Sequence, residues 1–403
     1  MDSAETLPLV PDGRAARLTL MLRVHGARVD TSRASPLGLE AAAAAMAPAT
    51  KAAILADLRC FFAWCGRQYP PAQAVPAAPD TLVHYLRWLS KGTGKRKPAK
   101  PATLDRRVAS IARIHRILGF GEKEPLATQA GMVRDTLKAI RHHRRERQRQ
   151  AAPLRYGEAM SAAEPAPSGV TIRALLDSCG KDLVGLRDAA LLSLTYDAGL
   201  RVSELVGTTV AAVKPKPDRT GRLTIAYSKT DRKGEGAMAW LSPDTMERIS
   251  AWLLASGISE GPLFRRIHIL TSGAGGQGEQ KARPYLGAKA LTRQGVVAIL
   301  RRRVLRAIDL GTVELEPGME GETLAALSAH SFRVGLTQDL FAAGEDGSGI
   351  ALALRWSSPT TALRYARELA VGSNAAARVL GRMRGGHEPP ESSGPEPDED
   401  DDM

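Results

Sequence analysis

His330-Ser331-Phe332-Arg333-Val334-Gly335, followed downstream by Arg355-Trp356-Ser357-Ser358-Pro359-Thr360-Thr361-Ala362-Leu363-Arg364-Tyr365, are the two stretches that decide what this chain is. His330 and Arg333 stand three apart, so at a helix start they share one face. Helix N-termini attract anions, which makes that face a reasonable phosphate corner. Taken singly, His-x-x-Arg is a weak signal, and a tyrosine inside a helical pattern is usually just packed. The spacing is more informative: Trp356 precedes Tyr365 by 9 residues and His330 precedes it by 35.

Working upstream, Ala198-Gly199-Leu200-Arg201-Val202-Ser203-Glu204-Leu205 ends one apolar helical pattern and opens another. Arg201 follows a glycine turn, as an inward-facing guanidinium often does, although alone it reads as a surface or salt-bridged arginine. Helical patterns also surround Leu175–Leu176, Leu186–Leu194 and Thr292–Ile308. Between them Leu223, Ile225 and Tyr227 alternate with Thr224, Ala226 and Ser228. A turn-rich Lys233-Gly234-Glu235-Gly236 and a second short strand ending near Trp240-Leu241 complete a β-hairpin. Lys229 falls at its turn. The interval 214–221 reads as polar loop, and the Gly-rich stretch 273–283 as a loop of its own.

The first part of the chain has a different character. Residues 1–45 show little to fix a fold. Ile54, Leu58, Phe61, Phe62 and Trp64 then form one apolar helical face, which Cys65 extends. After a proline-rich turn comes a helix with Leu82, Val83, Tyr85, Leu86 and Leu89. A third is expected with Thr103 as N-cap, burying Leu104, Val108, Ile111, Ile114 and Leu118, and a fourth from Thr128 to Ile140. Short helices in that number make a compact bundle. It ends in a basic run that includes Arg141, Arg144, Arg145 and Arg147. Such a run is commonly a solvated helix end, but ahead of a proline-rich linker it also suits phosphate contacts. His142 and His143 are helix neighbours that point apart, so no metal is expected there.

Charge supports an anionic partner. The net charge is +13, and eight acidic residues with no Lys or Arg lie between Glu388 and Met403; setting those eight aside leaves the remainder at +21. A body so positive usually seeks phosphates. The acidic, Pro- and Ser-rich tail has the composition of disorder. Cys60, Cys65 and Cys179 show neither metal-ligand spacing nor a disulfide framework. With no signal-peptide pattern and no apolar run of membrane-span length, a soluble, reducing, cytoplasmic and nucleoid-associated setting is expected, with no membrane partner.

In combination, Arg201-x-x-Glu204, the hairpin Lys229, His330-x-x-Arg333, Trp356 and Tyr365 resemble the catalytic domain of the tyrosine recombinase (phage integrase) family. Trp356, in place of the family's more usual second histidine, resembles the Cre-like branch, and Phe62-Ala63-Trp64-Cys65 is similar to that branch's first helices. The resemblance spans residues 45–385. It departs from the pattern at Ala329, at the bulky Phe332, and at Leu354-Arg355, where Gly-Gly or Gly-His is usual before the tryptophan; none of these removes a chemical group.

The resemblance implies a mainly α protein in which a helical core-binding domain and a mostly helical catalytic domain with a small β-sheet form a C-shaped clamp around DNA. The expected boundaries are an N-terminal extension over 1–45, the core-binding domain over 46–150, a linker over 151–168, the catalytic domain over 169–386 and the tail over 387–403. It also implies a site-specific recombinase in which Tyr365 attacks DNA to give a 3′-phosphotyrosyl link. Arg201 and Arg333 would grip the phosphate, since a guanidinium stays charged and takes two oxygens at once. His330 is the candidate base, Trp356 a hydrogen-bond donor, Lys229 the acid for the departing 5′-hydroxyl, and Glu204 a partner that orients Arg201. Because the link conserves the phosphodiester's energy, no cofactor or metal is expected. The implied partners are double-stranded DNA with inverted-repeat sites and three further copies, in a homotetramer on two synapsed sites. A type IB topoisomerase-like activity and a catalytically silent DNA-binding protein on the same fold stay open as alternatives.

Overall fold

A computed structural model of the chain describes residues 28–93, 96–144, 150–160, 166–226, 236–270, 283–365 and 383. It divides into two compact units, Met1–Arg149 and Gln150–Met403.

The first unit is a helical bundle. A two-residue strand, β1 (Arg28–Val29), precedes α1 (Pro36–Ala44) and α2 (Pro48–Gly66). β1 pairs in parallel with β2 (Gln73–Val75). Val29, Ala34 and Leu39 pack against the bundle's core, so the described residues ahead of 46 belong to it. The sequence hid this because α1 is an alanine run with no apolar periodicity. α3 (Pro79–Lys91) opens on a proline, carries Asp80 in its first turn where the helix dipole favours an anion, and stops at Gly92 with φ 72°.

α4 (Pro101–Ile117) starts earlier than expected: Lys100 is its N-cap and Thr103 lies inside the first turn, because Pro101 is preorganised for the first helical position. A 3₁₀ turn at Ala127–Gln129 leads into α5 (Gly131–Arg144). Phe61, Tyr85, Trp64 and Trp88 form a contiguous aromatic cluster, with Phe61 and Tyr85 centroids 4.9 Å apart. Asp57 is buried and held by Arg106 Nη1 at 2.5 Å and Ser110 Oγ at 2.8 Å.

The second unit is built around α7 (Leu183–Asp197), which follows the short α6 (Ile172–Asp177). Every residue of α7 from Ala189 to Tyr196 is buried, as expected of a helix apolar on all sides. After α8 (Val202–Val206) comes a three-stranded antiparallel sheet of β3 (Val213–Pro215), β4 (Gly221–Ile225) and β5 (Ala237–Leu241). Leu223 and Ile225 face inward while Arg222 and Thr224 face out, so the predicted alternation is present. β3 replaces part of the expected polar loop; it is a short edge strand, where Pro215 is tolerated. Tyr227 and Lys229 lie outside the described residues.

α9 (Pro243–Ser256) packs along α7. A second antiparallel hairpin, β6 (Arg265–Leu270) with β7 (Arg283–Ala290), flanks the Gly-rich stretch, whose residues 271–282 lie outside the description. The remaining helices are α10 (Arg293–Asp309), α11 (Glu320–Ala326), α12 (Ser331–Ala342), α13 (Gly347–Ala353) and α14 (Thr360–Tyr365).

Two buried carboxylates tie this unit together. Asp188 on α7 accepts from Arg187, from Arg302 at 2.9 Å and from Arg303 at 2.8 Å. Asp339 on α12 accepts from Arg155 Nε at 2.5 Å, from the Tyr156 backbone at 2.7 Å and from the Tyr196 hydroxyl. The segment Ala152–Tyr156 is thereby strapped across α12, and the Leu154 N–H donates to the Ser331 carbonyl at 3.0 Å. Gly335 makes the close approach possible, because a Cβ there would lie 1.8 Å from the Leu154 carbonyl oxygen.

Candidate active site

Arg201 emerges from a turn in which Gly199 takes φ 50°, and it caps α8. Its backbone N–H donates to Glu204 Oε2 at 2.9 Å and its Nη1 donates to Glu204 Oε1 at 2.8 Å. Glu204 is thus a double clamp on one residue, satisfying a free helix-start amide while fixing the guanidinium. Burial acts to raise the Glu204 carboxyl, but the hydrogen bonds from Arg201 and the charges of Arg201 and Arg355 hold it below the ordinary carboxylate range. It is therefore ionised at neutral pH.

His330 and Arg333 open α12. Ser328 and Ser331 fix that start: the Ser331 hydroxyl accepts from the Ser328 N–H at 3.0 Å and the Ser328 hydroxyl from the His330 N–H at 3.2 Å. Arg333 is 1% exposed. Its Nη1 donates to the Gly199 carbonyl and its Nη2 to the Leu354 carbonyl at 2.8 Å. Burial, with the neighbouring cations Arg201 and Arg355, pushes its pKa down to about 9. It is still charged at neutral pH, and the group is an under-neutralised cation that an anion would stabilise.

Tyr365 ends α14, the last described helix. His330 Nε2 lies 2.9 Å from its hydroxyl, with the two rings 5.4 Å apart and inclined at 62°. Trp356 stacks on the tyrosine, at 5.3 Å and 18° between planes, and the Arg333 guanidinium stands 5.2 Å from the Trp356 ring. Gln338 Nε2 donates to the Tyr365 carbonyl at 3.3 Å. His330 is pushed below its ordinary pKa by partial desolvation and then by Arg333 and Arg201. At neutral pH its imidazole is uncharged, and in the tautomer with the proton on Nδ1 its Nε2 accepts from the Tyr365 hydroxyl.

Six of the seven expected residues of this centre, Arg201, Glu204, His330, Arg333, Trp356 and Tyr365, converge in one unit; Lys229 lies outside the described residues. Of the four expected DNA contacts, the two described are engaged within the first unit. Arg144 donates to the Ala99 carbonyl at 2.7 Å and the Ser90 carbonyl at 2.8 Å, while Arg141 pairs with Asp105 at 2.5 Å. Arg145 and Arg147 are outside the description. Arg355 was missed as a site residue. Its signal in the sequence was only that Leu354-Arg355 replaces the usual Gly-Gly or Gly-His.

Among the described residues no group of three or more His, Cys, Asp or Glu is placed to hold a metal ion, and no helix is long and apolar enough to cross a membrane.

A tyrosine hydroxyl paired with a histidine and neighboured by two arginines, within a mainly helical unit bearing a small sheet, defines a tyrosine-type DNA strand-transfer enzyme. The chain belongs to the phage integrase family, which it matches over residues 169–370. It is 22% identical over 331 residues to the recombinase Cre of Escherichia phage P1, covering 81% of this chain and 86% of that protein. Among solved structures, it is similar to the Tn1549 transposon integrase in complex with transposon right end DNA, with a TM-score of 0.51 and 11% identity, over 84% of this chain and 94% of that one. The same integrase with circular intermediate DNA gives a TM-score of 0.51 at 12% identity, over 80% and 90% of the two chains. The chain is accordingly a tyrosine-type site-specific recombinase.

Proposed function

We propose that this recombinase breaks DNA by attack of the Tyr365 hydroxyl on a backbone phosphorus, forming a 3′-phosphotyrosyl bond and releasing a 5′-hydroxyl. The observation that carries this is the 2.9 Å contact between His330 Nε2 and the Tyr365 hydroxyl. A phenol with an ordinary pKa near ~10 is a poor nucleophile until something takes its proton. A neutral His330 does so as the oxygen–phosphorus bond forms.

The five-coordinate transition state holds more negative charge than the diester. Arg201 and Arg333 stabilise that charge, and the Trp356 indole N–H adds one donor. Lys229 protonates the departing 5′-oxygen as the P–O5′ bond breaks. Rejoining reverses these steps with a 5′-hydroxyl from a second strand, so neither nucleotide nor metal is consumed.

Double-stranded DNA is the substrate, in keeping with the DNA-bound integrase structures that the fold resembles. The helical unit serves as the core-binding domain, and Arg141, Arg144, Arg145 and Arg147 add positive potential along the duplex. Exchange of strands between two inverted-repeat sites takes four protomers.

The test is a nicked suicide substrate that traps the covalent intermediate. A protein–DNA band resistant to denaturation is expected with the native chain and none with Tyr365→Phe. Absence of the band, or a band that survives Tyr365→Phe, overturns the assignment. Relaxation of supercoils without exchange between sites would instead indicate topoisomerase-like use of the same chemistry.

A further inference from the structure

Arg355 occupies a backbone position made for glycine. Helix α13 ends at Leu354 with paired closing bonds, from the Trp356 N–H to the Ala351 carbonyl at 2.8 Å and from the Arg355 N–H to the Leu352 carbonyl at 3.1 Å. The residue between cap and exit must be left-handed in this motif, which is why glycine dominates there. Arg355 adopts φ 55°, and the other described non-glycine residue with positive φ, Arg219, belongs to an exposed turn. A strained arginine persists where its side chain contributes something a glycine would not.

That side chain runs inward and is only 10% exposed. Its Nη1 donates to the Ala198 carbonyl at 2.9 Å, and its Nη2 reaches the Gly199 carbonyl at 3.2 Å and Glu204 Oε2 at 3.4 Å. Its Nε is buried with no hydrogen-bond partner. Two of these acceptors also bear on a phosphate-gripping arginine. The Gly199 carbonyl is shared with Arg333, Glu204 is shared with Arg201, and the peptide carbonyl just before Arg355 receives Arg333 Nη2. The residue just after it is Trp356, whose ring stacks on Tyr365.

We propose that Arg355 is a positioning residue that fastens the Trp356–Tyr365 segment to the Arg201 turn, so that the nucleophile and the two phosphate-gripping arginines are set as one rigid group. It also takes up part of the Glu204 charge, leaving Arg201 more of its own for the phosphate. This rests on the assignment of Tyr365 as nucleophile, and it places an arginine where the family pattern has a different residue.

The test uses the full chain, the nicked suicide substrate and single-turnover cleavage at saturating DNA. Arg355→Gly relieves the backbone strain, so its melting temperature should be no lower than that of the native chain. Its cleavage should slow at least tenfold while affinity for the DNA site stays within twofold. Millimolar guanidinium, which fits the vacated space and restores the charge, should recover part of the rate; urea, similar in shape but neutral, should not. Arg355→Lys keeps the charge without the fork and should fall between. A native rate in Arg355→Gly, or a slowed rate that guanidinium fails to restore, overturns the proposal. Should Arg355→Gly fail to fold, Arg355→Lys decides: full cleavage overturns it, and a loss at unchanged affinity supports it. A native chain that forms no covalent band strikes the Tyr365 assignment instead, so the two failures are told apart.

Discussion

The Nε2 of His330 and the hydroxyl of Tyr365 are hydrogen-bonded at 2.9 Å. On the proposed mechanism this is the contact through which the phenol proton would leave.

That pairing makes cleavage pH-dependent with a definite sign. His330 lies below its ordinary pKa, because of desolvation and then the charges of Arg333 and Arg201. The rate should hold steady as pH falls from 8 through the ordinary histidine value of about 6.5. It should then drop about tenfold per unit once the imidazole protonates. Single-turnover cleavage across pH measures this, and a decline beginning above the ordinary value would contradict it. Protein stability moves in the same direction, since an unfolded histidine binds the proton more readily than His330 and folding weakens as pH falls through that interval.

Arg201→Ala should lower cleavage by about 10²- to 10³-fold, the scale of one transition-state donor, while leaving most affinity for the site. Cleavage and equilibrium binding measured side by side separate the two effects. Loss of binding to match the loss of cleavage would make Arg201 a general phosphate contact.

Trp356 stacks on Tyr365 and lies 5.2 Å from the Arg333 guanidinium. Trp356→Phe preserves the stack and loses the indole donor, whereas Trp356→Ala loses both. An aromatic pair and a cation–π contact together stabilise by about 1–3 kcal/mol, so the alanine variant should cleave roughly ten- to a hundredfold more slowly than the phenylalanine variant. Equal rates would show that the ring does not position the tyrosine.

Asp339 touches no reacting group, yet its loss should be severe. Arg155 beside it is 11% exposed, and removing the carboxylate takes a partner from that cation, from the Tyr196 hydroxyl and from the Tyr156 N–H. Asp339→Ala should destabilise the second unit by about 3–5 kcal/mol in chemical denaturation. A change below about 1 kcal/mol would mean that solvent reaches the pair and replaces the lost partner.

The chemistry of the site was far more legible than its scaffold. Tyr365, His330, Arg333 and Arg201 are recognisable by order and spacing because reaction geometry tolerates few substitutes. α7 was visible as an apolar run because it is buried on all sides. The β6–β7 hairpin escaped notice since Ile269 and Tyr285 are exposed on it and its pairing slips register near Arg265, which blurs any alternation. Thr103 misled because a good capping residue competed with a proline two positions earlier. Arg355 could not be placed in the site from sequence, since nothing local announces a left-handed backbone or says that a guanidinium turns inward.

The strap over α12 carries one more consequence. His330 and Arg333 ride on a helix whose separation from the Ala152–Tyr156 segment is set by the single hydrogen of Gly335. One added methyl would collide with the Leu154 carbonyl and push the helix aside, moving the imidazole off a phenol it meets at 2.9 Å. The contact between His330 and Tyr365 is thus gauged at a residue outside the pair, where the smallest change available to a protein chain is already too large.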